Sequence, residues 1–386
     1  MNALRKHIDK IKPNFAKGSK LGFLNSTFDA FESFLFVPNK VTKGGSHVKD
    51  SVDLKRIMTA VIISVLPAVL FGMWNIGYQH NLAIGGDMGF WPIVLYGFLK
   101  ILPLYLVSYI VGLGIEFTSA QIRGHEVNEG YLVTGMLIPL IVPVSIPLWM
   151  LALAVAFAVI IGKEVFGGTG MNIWNPALLA RAFLFFAYPG HMTGDKVWVA
   201  GLQKDAIVDG FSGATPLAQI SDGLGSIQYS FSDMFFGFIP GSVGETSTLA
   251  ILIGAFILIY TGVGSWKIMF SCVLGALTIG FIANIFALSE ASILAVPAYY
   301  HLVMGGFAFG AVFMATDPVS SAQTEKGKWI YGFLIGAFAV TIRLFNPGYP
   351  EGMMLAILLM NTFAPLIDYY VVEGNIKKRL KRAKTV

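Results

Sequence analysis

The sequence predicts an all-α polytopic membrane protein of about ten transmembrane helices, built as two inverted five-helix repeats. Three observations predict it. Of the 386 residues, 55% are hydrophobic and only 13% charged, against roughly 25% charged in a soluble domain. The apolar residues fall into ten runs, near 57–75, 93–118, 131–147, 148–166, 176–189, 247–263, 267–288, 293–315, 329–345 and 350–370. Most approach the roughly 20 residues that cross a bilayer. Finally, Pro143-Val144-Ser145 and Asn175-Pro176 recur as Pro318-Val319-Ser320 and Asn346-Pro347, spaced 175 and 171 residues apart. Five spans per half is an odd number, so the second copy must enter the membrane from the opposite side.

Taken in order, residues 1–55 form a basic extension. Leu24, Phe28, Phe31 and Leu35 recur at helical spacing between Lys20 and Pro38. They predict an amphipathic helix that lies on the membrane surface or packs on a partner subunit. The first 50 residues lack a short apolar core with a small-residue cleavage site, so no cleavable signal peptide is expected. Residues 56–190 make the first repeat, 191–246 a polar loop, 247–370 the second repeat and 371–386 a basic tail. The cluster Lys377-Lys378-Arg379-Leu380-Lys381-Arg382 and the Lys-rich start put both termini in the cytoplasm. The 76–91 connection has neither Lys nor Arg, as expected of the opposite side. By alternation the 191–246 loop lies on the outer face.

Composition also excludes. The net charge of +5 sits outside the apolar runs, which is membrane topology and not a nucleic-acid surface. One cysteine, Cys272, allows no intramolecular disulfide and cannot alone hold an iron–sulfur cluster. It reads as a small buried apolar side chain. An electron carrier in this chain would be organic, or a metal shared with another chain.

Ile138 to Pro147 contains three prolines, which break a helix inside the first repeat. Irregular backbone at membrane depth is tolerated only against protein or a cavity, so this break predicts a site at the centre. Polar side chains near such breaks, Asn172, Asn175 and Asp317, either line that site or cap the broken helices. Glu116 and Asp368, near the ends of the second and tenth runs, are functional candidates inside a membrane or interfacial acids in water. Arg181 lies within a run and needs an anion, a carbonyl or a helix C-terminus. Lys163 and Glu164 mark a span terminus as charged anchors, and Arg343 is a further charge near a helix end. In the polar loop, Phe211 to Gln219 reads FSGATPLAQ. Thr215 has no His or Lys beside it to act as base, so its hydroxyl reads as an acceptor of modification and not a nucleophile, or, from the tetrapeptide alone, as part of a turn in a polar loop.

Several stretches together resemble one family: SVDLKR at 51–56, HEVNEG at 125–130, KEVFGGTG at 163–170, RAFLFFAYP at 181–189, SGAT at 212–215, GSVGETS at 241–247, MATDPVS at 314–320 and PEGMML at 350–355. The chain is similar to the B subunits of bacterial sodium-translocating NADH:quinone reductases, in order, from about Val41 to Arg382. The resemblance implies an inner-membrane subunit with a fold related to ammonium and urea transporters. It implies FMN joined by a phosphodiester to Thr215, behind Ser212, Gly213 and Ala214, by a separate flavin transferase. It further implies noncovalent riboflavin, for which Asn172, Asn175 and Asp317 are candidate partners, with Arg181 a candidate for a flavin phosphate or ring edge. Electrons would pass to ubiquinone or menaquinone, at a site bordering Gly112 and Leu113, where Leu113 replaces a glycine of some members. The surface helix of residues 20–38 would roof that site. Glu116 and Asp368 match positions proposed to handle sodium. The NADH and FAD site would lie on another subunit, consistent with the lack of a GxGxxG after a strand here. A related expectation is the D subunit of the Rnf complex, which shares SGAT. A flavin-free channel or transporter on the same repeat is the third.

Overall fold

The computed structural model describes residues 2–15, 19, 21–25, 27–28, 32, 36, 42–46, 54–124, 130–195, 197–201, 213–220, 227–289, 292–346 and 351–384. Ser212, residues 125–129, and Phe31 and Leu35 of the predicted surface helix lie outside these. Among the described residues all regular structure is helical. The membrane body comprises α1 (Leu54–Ala83), α2 (Phe90–Arg123), α3 (Tyr131–Leu137), α4 (Leu148–Gly162), α5 (Pro176–Ala187), α6 (Thr248–Tyr260), α7 (Trp266–Ile285), α8 (Glu325–Phe345) and α9 (Met353–Lys384). Among the described residues, six helical stretches are long and apolar enough to cross a membrane: α1, α2, Leu148–Phe166, α7, α8 and Met353–Ala383. Tyr131–Leu140, α5 and α6 are shorter apolar helices.

Large apolar side chains face outward along these helices. On α2, Leu95, Leu99, Leu106 and Ile110 are each more than half exposed. In water such a stripe would be a liability; against lipid it is the expected outer surface. Inside, small residues let backbones touch. A Cβ on Gly336 of α8 would sit 1.9 Å from the Cys272 carbonyl of α7, and one on Gly275 of α7 would sit 2.0 Å from the Phe333 carbonyl. Close backbone approach through glycine is the way membrane helices pack. Cys272 is fully buried at this crossing, the small packing residue the sequence predicts.

The two halves share a packing pattern. In the first, α4 lies between α2 and α5; in the second, α8 lies between α7 and α9. Across the halves α1 packs on α6 and α5 on α9. The repeated Pro-Val-Ser tripeptides fall in turns ahead of α4 and α8. Both halves are also broken at corresponding places. After α3 the chain tightens into a 3-10 turn, Ile138–Leu140, and runs irregularly to Pro147, which precedes α4. Ile138, Leu140, Ile141 and Val142 are at most 1% exposed, so this irregular backbone is covered by protein.

The eighth apolar run, 293–315, is not one helix. It is a 3-10 turn Ile293–Ala295, short helices Tyr300–Val303 and Phe307–Phe309, and a π-helical turn Gly310–Met314. Gly305 sits at φ +59°, a conformation that ends a helix and that hydropathy does not register. The two breaks meet at Gly244: its N–H donates to the Leu140 carbonyl at 2.8 Å, and a Cβ there would press on Leu140 and Phe309.

Candidate functional site

Three polar clusters occupy the breaks and helix ends. The first is a cavity lined by Thr134, Lys163, Thr169, Asn172, Asn175, Thr316 and Asp317 against apolar walls that include Val133, Leu137, Leu258 and Phe313. Asn175 caps α5: its Oδ1 accepts from the N–H groups of Ala177 at 3.0 Å and Leu178 at 3.3 Å, and Pro176 opens the helix. Asn172 donates through Nδ2 to the Trp174 carbonyl at 2.9 Å. Asp317 accepts from Ser320 Oγ at 2.7 Å and Val319 N–H at 3.3 Å. Each side chain fixes a chain break, and all three line one cavity. Of the two readings from sequence, lining holds for all three residues and helix capping for Asn175 alone.

The second cluster lies beside Thr215. Its Oγ1 accepts from the Ala218 N–H at 3.2 Å, capping the four-residue helix Pro216–Gln219. Gly213 is small for a local reason: a Cβ there would come 2.2 Å from the Asp195 carbonyl. Thr215 and Ala214 are half-buried. Thr215 borders a cleft with Trp198, Ser242, Glu245, Thr246, Gly305 and Glu351. Arg181, 4% exposed, reaches this cluster from α5. Its partners are two carboxylates, Glu245 and, at 3.1 Å, Glu351, neither of them the helix C-terminus considered from sequence. Glu245 also accepts from Ser242 Oγ, and Glu351 from the Gly306 N–H at 2.7 Å. Burial pushes the Glu245 carboxyl up to about 7, against the opposite pull of Arg181. Arg343, near the end of α8, is 1% exposed and donates to the carbonyls of His301, Met304 and Glu351.

The third cluster joins α2 to the turn after α4. Glu116 pairs with Lys163; they are 5% and 3% exposed. Glu164 accepts from Ser119 Oγ, and its carbonyl accepts from Arg123 at 2.7 Å. Lys163 and Glu164 are thus buried ties and not interfacial anchors. One turn before Glu116, Gly112 admits an aromatic ring, but it is the ring of Tyr131: a Cβ would lie 1.8 Å from Tyr131 Cζ. Tyr131 donates to the Ser108 carbonyl at 2.9 Å. Leu113, on the other face of α2, packs half-buried on the core. Asp368 belongs elsewhere. Midway along α9, it accepts from the N–H groups of Gln323 at 2.7 Å and Thr324 at 3.0 Å, fastening the start of α8.

The sequence reading missed the partners of these charges. Glu245 and Glu351 lie inside the quoted motifs GSVGETS and PEGMML, which was the available signal. Their meeting with Arg181 joins positions 64 and 170 residues apart, which spacing does not reveal.

A body that is helical among the described residues, with six helices long and apolar enough to cross a membrane and polar groups gathered at broken helices, defines a polytopic membrane protein. The sequence matches the NQR2, RnfD, RnfE family over residues 41–377, and the chain belongs to that family. It is 48% identical to the B subunit of the Na(+)-translocating NADH-quinone reductase of Ectopseudomonas mendocina, across 98% of this chain and 99% of that protein. The B subunits of the same reductase from Chromohalobacter salexigens and Stutzerimonas stutzeri are each 47% identical, across 98% of this chain and 96% and 99% of theirs.

Proposed function

We propose that this chain is the membrane flavoprotein subunit of a sodium-pumping NADH:quinone oxidoreductase of a bacterial inner membrane. The observation that carries this is near end-to-end similarity to proteins of that name, 47–48% identical across 98% of this chain and 96–99% of theirs. That favours the quinone reductase over an Rnf-type subunit, although the family includes both. In this reading the ten apolar runs form two inverted five-helix repeats, both termini are cytoplasmic, and the Thr215 loop faces outward.

Thr215 carries FMN through a phosphodiester, made by a separate flavin transferase. The residues fit the group: a half-exposed hydroxyl lining a cleft with Trp198, whose wall carboxylates Glu245 and Glu351 are paired with the Arg181 guanidinium. The chemistry of the interruption cavity fits the ring of a noncovalent riboflavin. Asn172, Asn175 and Asp317 keep acceptor or donor capacity beyond the hydrogen bonds they already make, on otherwise apolar walls. The cavity is about 80 Å³, room for several waters, so binding also requires its walls to part. Bound flavin supplies exchange of one or two electrons, the chemistry needed between a one-electron relay and a two-electron quinone. The chain's own residues hold and orient the ring edge, exclude water with Val133, Leu137, Leu258 and Phe313, and keep the broken helices capped throughout. Quinone binds beside Gly112 and Leu113. Glu116 and Asp368 supply hard oxygens along the sodium path.

The reading is tested on the assembled complex in proteoliposomes. NADH oxidation with added quinone is expected to drive Na+ across the membrane, and to do so only when this chain is present. Quinone reduction at full rate with no Na+ movement would overturn it.

A further inference from the structure

Lys163 and Glu116 bring opposite charges to a place that is almost dry, 3% and 5% exposed. A buried ion pair adds little net stability compared with an apolar pair of the same shape, so stability alone does not account for one. Nor is this pair needed to tie α2 to the turn after α4, because Ser119 and Arg123 already hold Glu164 of that turn. What sets Lys163 apart is its second environment. It lines the cavity of Asn172, Asn175 and Asp317, and its ammonium lies 5.9 Å from the centre of the Tyr131 ring. The chain around it is irregular. α4 stops at Gly162, a 3-10 turn Glu164–Phe166 follows, and Gly167, Gly168 and Gly170 adopt φ of +121°, +95° and +91° on the way to Asn172. One cation therefore stands between a carboxylate and a cavity, on a stem of four carbons that can swing.

We propose that Lys163 links the cavity to Glu116. Its ammonium occupies the cation seat at the carboxylate, moves toward the cavity when negative charge gathers there, and so opens Glu116 to Na+. The proposal rests on the reading above, in which the cavity holds a riboflavin ring and Glu116 belongs to the sodium path. Two negative centres compete for one tethered cation, and whichever loses it takes a cation from solution. Because linkage is reciprocal, Na+ at Glu116 also favours negative charge in the cavity.

The test is Na+ binding by the assembled complex, titrated calorimetrically against a choline background, first oxidised and then reduced with dithionite. For the unaltered chain, reduction is expected to raise Na+ affinity about fivefold or more. Lys163→Met is expected to bind Na+ with the higher affinity in both states and to make the potential of the bound ring more negative. Glu116→Gln removes the rise. A Lys163→Met chain that keeps the redox-dependent rise overturns the proposal. Should Lys163→Met fail to fold, Lys163→Arg decides. Its fork grips the carboxylate in two-point fashion, so the rise should vanish, and its persistence is contrary. Acid extraction separates the premises. A complex without extractable riboflavin overturns the cavity reading and this proposal together, whereas riboflavin present with a flat Na+ response overturns this proposal alone.

Discussion

Glu116 and Asp368 are both carboxylates on long helices, and the sequence treats them alike. The structure gives them different partners. Glu116 faces the side chain of Lys163, which can leave by rotating its own bonds. Asp368 accepts from the backbone N–H groups of Gln323 and Thr324, just ahead of α8, and from the hydroxyl of Thr324, the residue that caps α8, so its partners are fixed by the backbone at that helix end. The difference teaches what each acid can do. A carboxylate paired with a mobile cation can exchange that cation, while one that accepts from backbone N–H groups keeps its contacts and offers an ion only its spare lone pairs.

The comparison can be broken by removing each acid in turn. Glu116→Ala strands a buried ammonium and is expected to destabilise the chain by about 3–5 kcal/mol, read as the midpoint of denaturant unfolding in mild detergent. Removing both charges, as Glu116→Leu with Lys163→Met, should recover most of that loss; failure to recover would mean that the pair is itself structural. Gly112→Ala drives a methyl group into the Tyr131 ring and should cost about 1–3 kcal/mol, read in the same way. Asp368→Ala removes the acceptor that holds Gln323 and the capping residue Thr324 ahead of α8 and should cost about 1–2 kcal/mol. Its signature is faster amide exchange confined to the first turn of α8, with the cavity untouched. The smallest effect is at Thr215, where loss of the Oγ1 cap on four residues should cost about 1 kcal/mol or less. That small stability cost is what makes Thr215→Ala a clean probe of chemistry.

Much of the architecture was legible. Each of the ten apolar runs contains helix, and Asn175 with Pro176 announces the start of α5 as local rules predict. The proline-rich break at 138–147 was legible because proline acts through its own backbone. The break at 300–316 was hidden, since glycine in an apolar run reads as packing until its φ is known. The charges were legible as residues and illegible as pairs. Lys163 and Glu164 look like anchors because a sequence ends its hydrophobic run there; only folding shows that α2 covers them. Arg181 announced its need for a partner, but the carboxylates that meet it come from the second half of the chain. Local physics writes itself into neighbouring residues, whereas ion pairing between halves depends on a topology that no window of sequence contains.

The proposed covalent FMN on Thr215 is read from the intact mass of the purified protein. The measurement is made after expression with and without an active flavin transferase, alongside Thr215→Ala. The account predicts a mass gain of one FMN only with the transferase, absent from the folded Thr215→Ala chain. A folded, transferase-exposed chain of unmodified mass would contradict it, and so would a gain that survives the loss of Thr215.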